Sequence, residues 1–179
     1  MDLHAENQDL VPVLRTSRLV LKPLVTDDLD DVVRLCGDYD VSKMLVPVPH
    51  PYSRSDAEDF LAMDQRGAVG MLWMIHDATG LCGAVSIGKE LGYWLGRPAW
   101  GQGYMTEAAQ AAVDCYFNLR LADQIASSHF VENTASSNVL EKLGFVDTGP
   151  HLHFSTARQC DVQGRGMLLT RDVWQARHV

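Results

Sequence analysis

An aromatic strand, a glycine-punctuated turn and the start of a helix follow one another in Gly92-Tyr93-Trp94-Leu95-Gly96-Arg97-Pro98-Ala99-Trp100-Gly101-Gln102-Gly103-Tyr104-Met105-Thr106-Glu107-Ala108. This order leaves several backbone N–H groups free at a helix N-terminus, where the macrodipole also favours negative charge. Such a turn suits a phosphate. Gly101-x-Gly103 is followed by Thr106 where a dinucleotide-binding loop has its third glycine, and the chain holds no Gly-Lys-Ser/Thr of a P-loop. The pattern therefore points away from dinucleotides and P-loop nucleotides. A plain β-to-α turn that needs left-handed glycines stays the alternative.

Downstream of the turn, Met105, Ala108, Ala109, Ala112, Val113 and Tyr116 keep a helical period and predict a helix over 104–119. Residues 124–131 then read as a strand and 135–143 as a short helix. Gly144 stops that helix as its left-handed C′ residue, with Phe145 placed to pack on Leu140. Two late strands follow, near 145–148 and 166–170. Upstream, 90–95 is a strand, preceded by a tight turn at Gly88-Lys89. Strands near 72–76 and 82–87 flank the hairpin turn Asp77-Ala78-Thr79-Gly80. Residues 18–23 alternate as a first strand. Thr26 is placed to cap a helix in which Leu29, Val32, Val33 and Cys36 share a face. Pro47, Pro49 and Pro51 make 45–52 an extended loop. Ser53 or Ser55 caps the next helix; Ser55 with Glu58 has capping-box spacing, and Ala57, Phe60 and Leu61 face inward. The sum is an α/β (α+β) fold, with a mostly antiparallel run of strands followed by two strand–helix units. It has about six to seven strands and about four flanking helices. The chain divides into a leader, 1–13, and a single domain, 14–179.

At 179 residues, with 46% hydrophobic and 21% charged residues, the composition is that of one globular domain with a sizeable core. A net charge of −8 argues against a nucleic-acid binder that relies on a broad basic surface, and is compatible with a cationic amine ligand. Cys36, Cys82, Cys115 and Cys160 show neither metal-ligand spacing nor a disulfide framework. Reduced thiols in a cytoplasm are the simplest expectation. No apolar run is long enough to span a bilayer, and the polar, acid-bearing residues 1–8 are unlike a secretory signal. Neither a metal nor a membrane is an expected partner.

Gly92-Tyr93-Trp94-Leu95 before the turn and Tyr104-x-x-Glu107-Ala108 after it resemble the acetyl-CoA-binding core of the GNAT acetyltransferases. They look most like the branch of the ribosomal-protein N-terminal alanine acetyltransferases, the RimJ/RimL type. Leu14-Arg15-Thr16-Ser17-Arg18-Leu19-Val20-Leu21-Lys22-Pro23 is like that branch's opening strand. Pro51-Tyr52-Ser53 followed by Asp56-Ala57 matches the start of its second helix. Asn133-Thr134-Ala135-Ser136, running into Val139-Leu140-Glu141-Lys142-Leu143-Gly144-Phe145, matches its closing motif. The resemblance covers residues 14 to 174, in the order of the elements above. One position departs from it. The superfamily's pyrophosphate signature is Gln/Arg-x-x-Gly-x-Gly/Ala; here Pro98 stands at its first position, and Arg97 comes one residue early.

The resemblance implies a GNAT fold in which two splayed parallel strands, 90–95 and 124–131, form a cleft for acetyl-CoA as cosubstrate. The pantetheine arm would follow the backbone of Trp94 and Leu95, and an N–H near Leu95 would polarise the acetyl oxygen. The pyrophosphate would reach the amides of Gly101, Gln102, Gly103, Tyr104 and Met105, beside Trp100. Asn133 would touch the cofactor arm. Ser136 would lie near the sulfur and protonate the departing thiolate. Read alone, Asn133 is a good N-cap and Ser136 its N3 residue. Glu90 stands close to where relatives place a basic carboxylate or a water chain; read alone, it is a hairpin charge beside Lys89. His151 and His153 share a strand face and could line the acceptor pocket or bind a metal, but no third ligand accompanies them, and surface histidines are the default expectation. Glu107 suits the first helical turn electrostatically. The implied acceptor is a primary amine: a protein N-terminus, a polyamine, an amino acid or an antibiotic. Its specificity would reside in the loops around 36–53 and 147–163. Dimerisation is common in the resembled family. Two other classes compete: an acyl-CoA-sensing module without turnover, and an NAD-dependent enzyme.

Overall fold

The computed structural model describes residues 11–119 and 121–177, so residues 1–10 of the expected leader lie outside the described residues. The strands are β1 (Leu14–Arg15), β2 (Val20–Lys22), β3 (Met71–Asp77), β4 (Gly80–Ile87), β5 (Leu91–Leu95), β6 (Gln124–Phe130), β7 (Val146–Ser155) and β8 (Cys160–Thr170). The α-helices are α1 (Leu29–Cys36), α2 (Tyr39–Ser42), α3 (Arg54–Gln65), α4 (Tyr104–Asn118), α5 (Thr134–Leu143) and α6 (Arg171–Ala176).

Alternation along β3 decides how the sheet is buried. Trp73 and Ile75 point to one face and Leu72 and Met74 to the other, and all four are buried. The sheet is therefore covered on both sides. On one side, Trp73, Ile75, Val85 and Ile87 meet Ala108, Ala109, Ala112, Val113 and Phe117 of α4 and Leu140 and Leu143 of α5. The alanines let α4 approach the strands closely. On the other side, Leu72, Met74 and Ala84 pack against Leu29, Val32 and Leu35 of α1 and Ala57 and Leu61 of α3. Burying a side chain the size of Phe117 contributes roughly 2–3 kcal/mol, which is why the apolar stripe of α4 dictates its seat.

Eight strands form one sheet in the order β1-β2-β3-β4-β5-β6-β8-β7. The neighbours pair antiparallel except β5 and β6, which run parallel and share a single register pair, Leu91↔Ser127. The Ser127 hydroxyl donates to the Leu91 carbonyl at 2.8 Å and closes the apex. Past that point the strands have no common ladder, so a gap opens between 92–95 and 128–130.

The structure corrects several expectations. It has one strand more than the upper count, and α2 and α6 are additional short helices. Residues 147–163 form a long hairpin of β7 and β8 rather than a loop. The capping box of α3 is Ser53 with Asp56, not Ser55 with Glu58: the Ser53 amide donates to the Asp56 carboxylate at 2.7 Å. Thr26 opens a 3-10 turn instead of capping α1, and the Asp28 carboxylate accepts the Val25 amide at 3.1 Å. Pro12, near the end of the expected leader, accepts a hydrogen bond from the buried Trp73 indole at 2.8 Å.

Candidate active site

The turn after β5 is shaped by backbone torsions. Trp100 (φ −69°, ψ 151°) and Gly101 (φ +73°) occupy the centre of a type II turn, whose second central residue needs positive φ. Gly103 (φ +75°) is the N-cap of α4 and offers no side chain to its amides. Among the described residues, none accepts a hydrogen bond from the amides of Gly101, Gly103, Tyr104 or Met105. Side chains brace this turn from outside. The Gln102 amide donates to the Pro98 carbonyl at 2.9 Å, and the Trp100 indole donates to the Leu95 carbonyl at 2.7 Å. The result is a left-handed glycine bend with open N–H groups at the positive end of a fifteen-residue helix, a fit for a phosphate group.

Glu107, one turn into α4, holds that helix end to the start of β2. Its Oε1 accepts from the Thr16 hydroxyl at 2.5 Å, the Ser17 hydroxyl at 3.1 Å and the Arg18 amide at 3.0 Å. Its Oε2 accepts from Arg18 Nε at 2.7 Å and lies 2.6 Å from Arg18 Nη2. Burial alone would push this carboxyl up, but the bonds from Thr16, Arg18 and Ser17 outweigh it and bring the group down from 4.5 to about 2. Arg18 also donates to the Gln102 carbonyl at 2.8 Å and lies over the Tyr104 ring.

The gap between β5 and β6 meets this turn. The Gly96 amide donates to Cys82 on β4 at 2.9 Å. Strand alternation then turns Trp94 toward β4 and leaves the backbone of Tyr93 and Leu95 facing the gap. Of Trp94 and Leu95, it is Leu95 whose N–H is available there, while its carbonyl is occupied by Trp100.

Across the gap, Asn133 caps α5, its side chain accepting the Ser136 amide at 3.1 Å. The Ser136 hydroxyl is not free-standing. It lies 2.9 Å from the hydroxyl of Tyr93, which also donates to the Ser136 carbonyl at 3.2 Å. Burial pushes the Tyr93 phenol up to about 12, against a smaller opposing pull from Ser136, so it keeps its proton. The strand motif that contains Tyr93 does not disclose this partnership; its only sequence signal is the placement of Tyr93 on the face of β5 that meets α4 and α5.

Glu90 stands at the mouth of the β4–β5 turn. Its carboxylate accepts from the Ser128 hydroxyl at 3.4 Å, on the sheet face opposite Ser136. His153 lies beside it. The rings of His151 and His153 are 4.4 Å apart, and His153 Nε2 is buried without a hydrogen-bond partner among the described residues. Burial and then His151 hold the His153 imidazole below the usual histidine value, opposed by Glu90.

The two segments expected to set acceptor specificity meet in space. Thr156 donates to the Val46 carbonyl at 3.1 Å, and Arg158 Nε donates to the Lys43 carbonyl at 2.7 Å. Arg158 also pairs with Glu132, just past β6, and covers the Phe130 ring. Neither Arg18 nor Arg158 stood out in the sequence, because their partners are distant along the chain.

The sequence profile described as an acetyltransferase (GNAT) domain matches residues 18–146. An uncharacterized N-acetyltransferase of Bacillus licheniformis, p20, is 30% identical over 149 residues, covering 76% of this chain and 83% of that protein. The fold is similar to that of the Vibrio cholerae spermidine N-acetyltransferase, solved with CoA and spermine, at a TM-score of 0.76 and 20% identity over 89% of this chain and 99% of the other. It is likewise similar to RimL, the ribosomal L7/L12 alpha-N-protein acetyltransferase solved with coenzyme A, at a TM-score of 0.77 and 17% identity over 90% and 99% of the two chains. Profile, relative and fold agree with the open helix end beside a parted pair of parallel strands, and the chain belongs to the GNAT acetyltransferase family.

Proposed function

We propose that this N-acetyltransferase moves the acetyl group of acetyl-CoA to a primary amine by direct transfer in a ternary complex. The observation that carries this reading is the parting of β5 from β6 beyond Leu91↔Ser127, in line with the open amides at the start of α4. The amides of Gly101, Gln102, Gly103, Tyr104 and Met105 hold the pyrophosphate, with Trp100 fixing the turn and Asn133 flanking the arm. The pantetheine lies along the edge of β5 at Tyr93 and Leu95 rather than at Trp94, whose backbone pairs with Ala84 of β4, and the Leu95 N–H polarises the acetyl oxygen.

The amine lone pair attacks the thioester carbon, and the carbonyl π pair moves onto oxygen. On collapse the C–S bond breaks, and the sulfur takes the Ser136 hydroxyl proton. Tyr93, kept as a phenol, holds the Ser136 hydroxyl in place at 2.9 Å and is the nearest group able to restore its proton. Glu90 receives the proton released by the amine, directly or through water. Acceptors named for structurally similar proteins include spermidine and a ribosomal protein N-terminus. Both belong in the first screen.

The test is CoA release from acetyl-CoA with a panel of polyamines, amino acids, aminoglycosides and ribosomal-protein N-terminal peptides. Release with at least one amine is expected. Tight acetyl-CoA binding with no release on any amine would overturn transfer in favour of sensing. Ser136→Ala should then lower kcat by about 100-fold, at the low end of general-acid contributions, with acetyl-CoA affinity unchanged. Unaltered turnover removes Ser136 as the acid.

A further inference from the structure

A guanidinium at the N-terminal end of a helix is electrostatically misplaced, because that end is already positive. Arg18 sits there, against the first turn of α4. Glu107 Oε2 holds it, while Glu107 Oε1 is taken by donors from Thr16, Ser17 and the Arg18 amide. Three acceptor contacts, Glu107 Oε2 twice and the Gln102 carbonyl, engage the Arg18 side chain among the described residues. A guanidinium carries five N–H bonds, so two remain. The side chain is 47% exposed, and a β-carbon built on Gly103 would lie 3.6 Å from Arg18 Nη2. The remaining donors therefore border the same bend whose amides are open. A single anion on the bend could therefore meet both the open amides and the two remaining guanidinium N–H groups.

We propose that Arg18 is a cofactor-binding residue, which presents its unused N–H groups to a phosphate of CoA lying on the glycine bend. It would supply, from the β1–β2 connection, the cationic or polar side chain that Pro98 removes from the turn itself. Thr16, Ser17 and Glu107 are positioning residues: they fix the guanidinium in one orientation so that little side-chain freedom is lost on binding. The inference rests on the placement of CoA given under Proposed function. The pyrophosphate and the 3′-phosphate share the chemistry that Arg18 would meet.

The test is steady-state kinetics of the full chain with an amine from the panel, for the wild type, Arg18→Ala and Arg18→Lys. Three acetyl donors are compared: acetyl-CoA, acetyl-dephospho-CoA and S-acetylpantetheine, which has neither the pyrophosphate nor the 3′-phosphate. Arg18→Ala should raise the KM for acetyl-CoA about tenfold, the effect of one charge-assisted contact, with kcat within about twofold. Arg18→Lys, which keeps the charge but not the fork, should fall between the two. With S-acetylpantetheine, wild type and variants should have equal kcat/KM. A defect that persists with dephospho-CoA assigns the contact to the pyrophosphate; one that vanishes assigns it to the 3′-phosphate. An unchanged KM, or an equal loss with S-acetylpantetheine, overturns the proposal by reducing Arg18 to a purely structural brace. Should Arg18→Ala not fold, the Arg18→Lys comparison across the three donors decides alone. A wild type that neither binds nor consumes acetyl-CoA sinks the underlying placement before any variant is measured.

Discussion

The glycine bend and the proposed acceptor side of the gap are built by opposite means. The bend is set within one contiguous stretch, by positive φ at Gly101 and Gly103 and by bonds from Gln102 and Trp100 to carbonyls four and five residues back. The acceptor side joins the β7–β8 hairpin to the segment after α2, through Arg158 and Lys43, 115 positions apart. A site for an invariant cosubstrate benefits from a grip made by main-chain amides, which most side-chain changes leave in place. A site for a variable acceptor is made of side chains and loop contacts that can be exchanged without touching the bend. The two halves should therefore fail separately.

The largest expected effect comes from Gly103→Val. A β-carbon there meets only the Arg18 guanidinium, at an ordinary 3.6 Å, so crowding is not the cause of damage. The cause is torsional: a β-branched residue at φ +75° costs roughly 1–3 kcal/mol, which the turn escapes by refolding. Acetyl-CoA affinity should drop about 100-fold by calorimetry, the equivalent of that strain. Equal affinity would refute the placement of the pyrophosphate.

Arg158→Ala probes the other half with a smaller effect. It removes the bond to the Lys43 carbonyl, the pairing with Glu132 and the cover over Phe130. Loosening the hairpin from the segment after α2 should raise acceptor KM about tenfold, in keeping with one or two lost charge-assisted bonds, while the acetyl-CoA Kd stays constant. A parallel rise in acetyl-CoA Kd would show that the halves are coupled.

The same contrast explains what could be read in the sequence. The order of strands β2 to β6, the helix α4 and the Schellman end of α5 at Gly144 depend on near neighbours, and periodicity and glycine placement report near neighbours. β7 defeated that logic. It is an edge strand exposed along most of its length, and it carries Gly149, Pro150 and a register shift near 147–149, so no clean apolar alternation marks it. At α3, Ser53 and Ser55 offered the same chemistry two residues apart, and an aspartate at N3 proved as good a partner as a glutamate. Glu107 was legible as a first-turn acid, but its donors Thr16, Ser17 and Arg18 stand 89 to 91 positions away, beyond any local pattern.

Glu107→Gln gives the smallest effect, read as stability, and it sharpens the comparison on the bend's side. The folded-state carboxyl titrates at about 2 against an ordinary 4.5, so folding is linked to its ionisation. The group's folded pKa is depressed. Its contribution is therefore complete above about pH 4.5 and is lost as the pH falls through about 2. The carboxylate is only 17% exposed, but Arg18 is half in solvent, and screening there limits the gain to about 1–2 kcal/mol at neutral pH. Urea unfolding of the wild type should show stability declining over that acid window. Glutamine keeps acceptor capacity but not charge, so the variant should start lower at pH 7 and lose this portion of the slope. A variant whose stability falls with acid as steeply as the wild type would mean that Glu107 does not clamp α4 to β2 as an anion. In that case the bend would owe its shape to its glycines and to the Gln102 and Trp100 bonds within the turn.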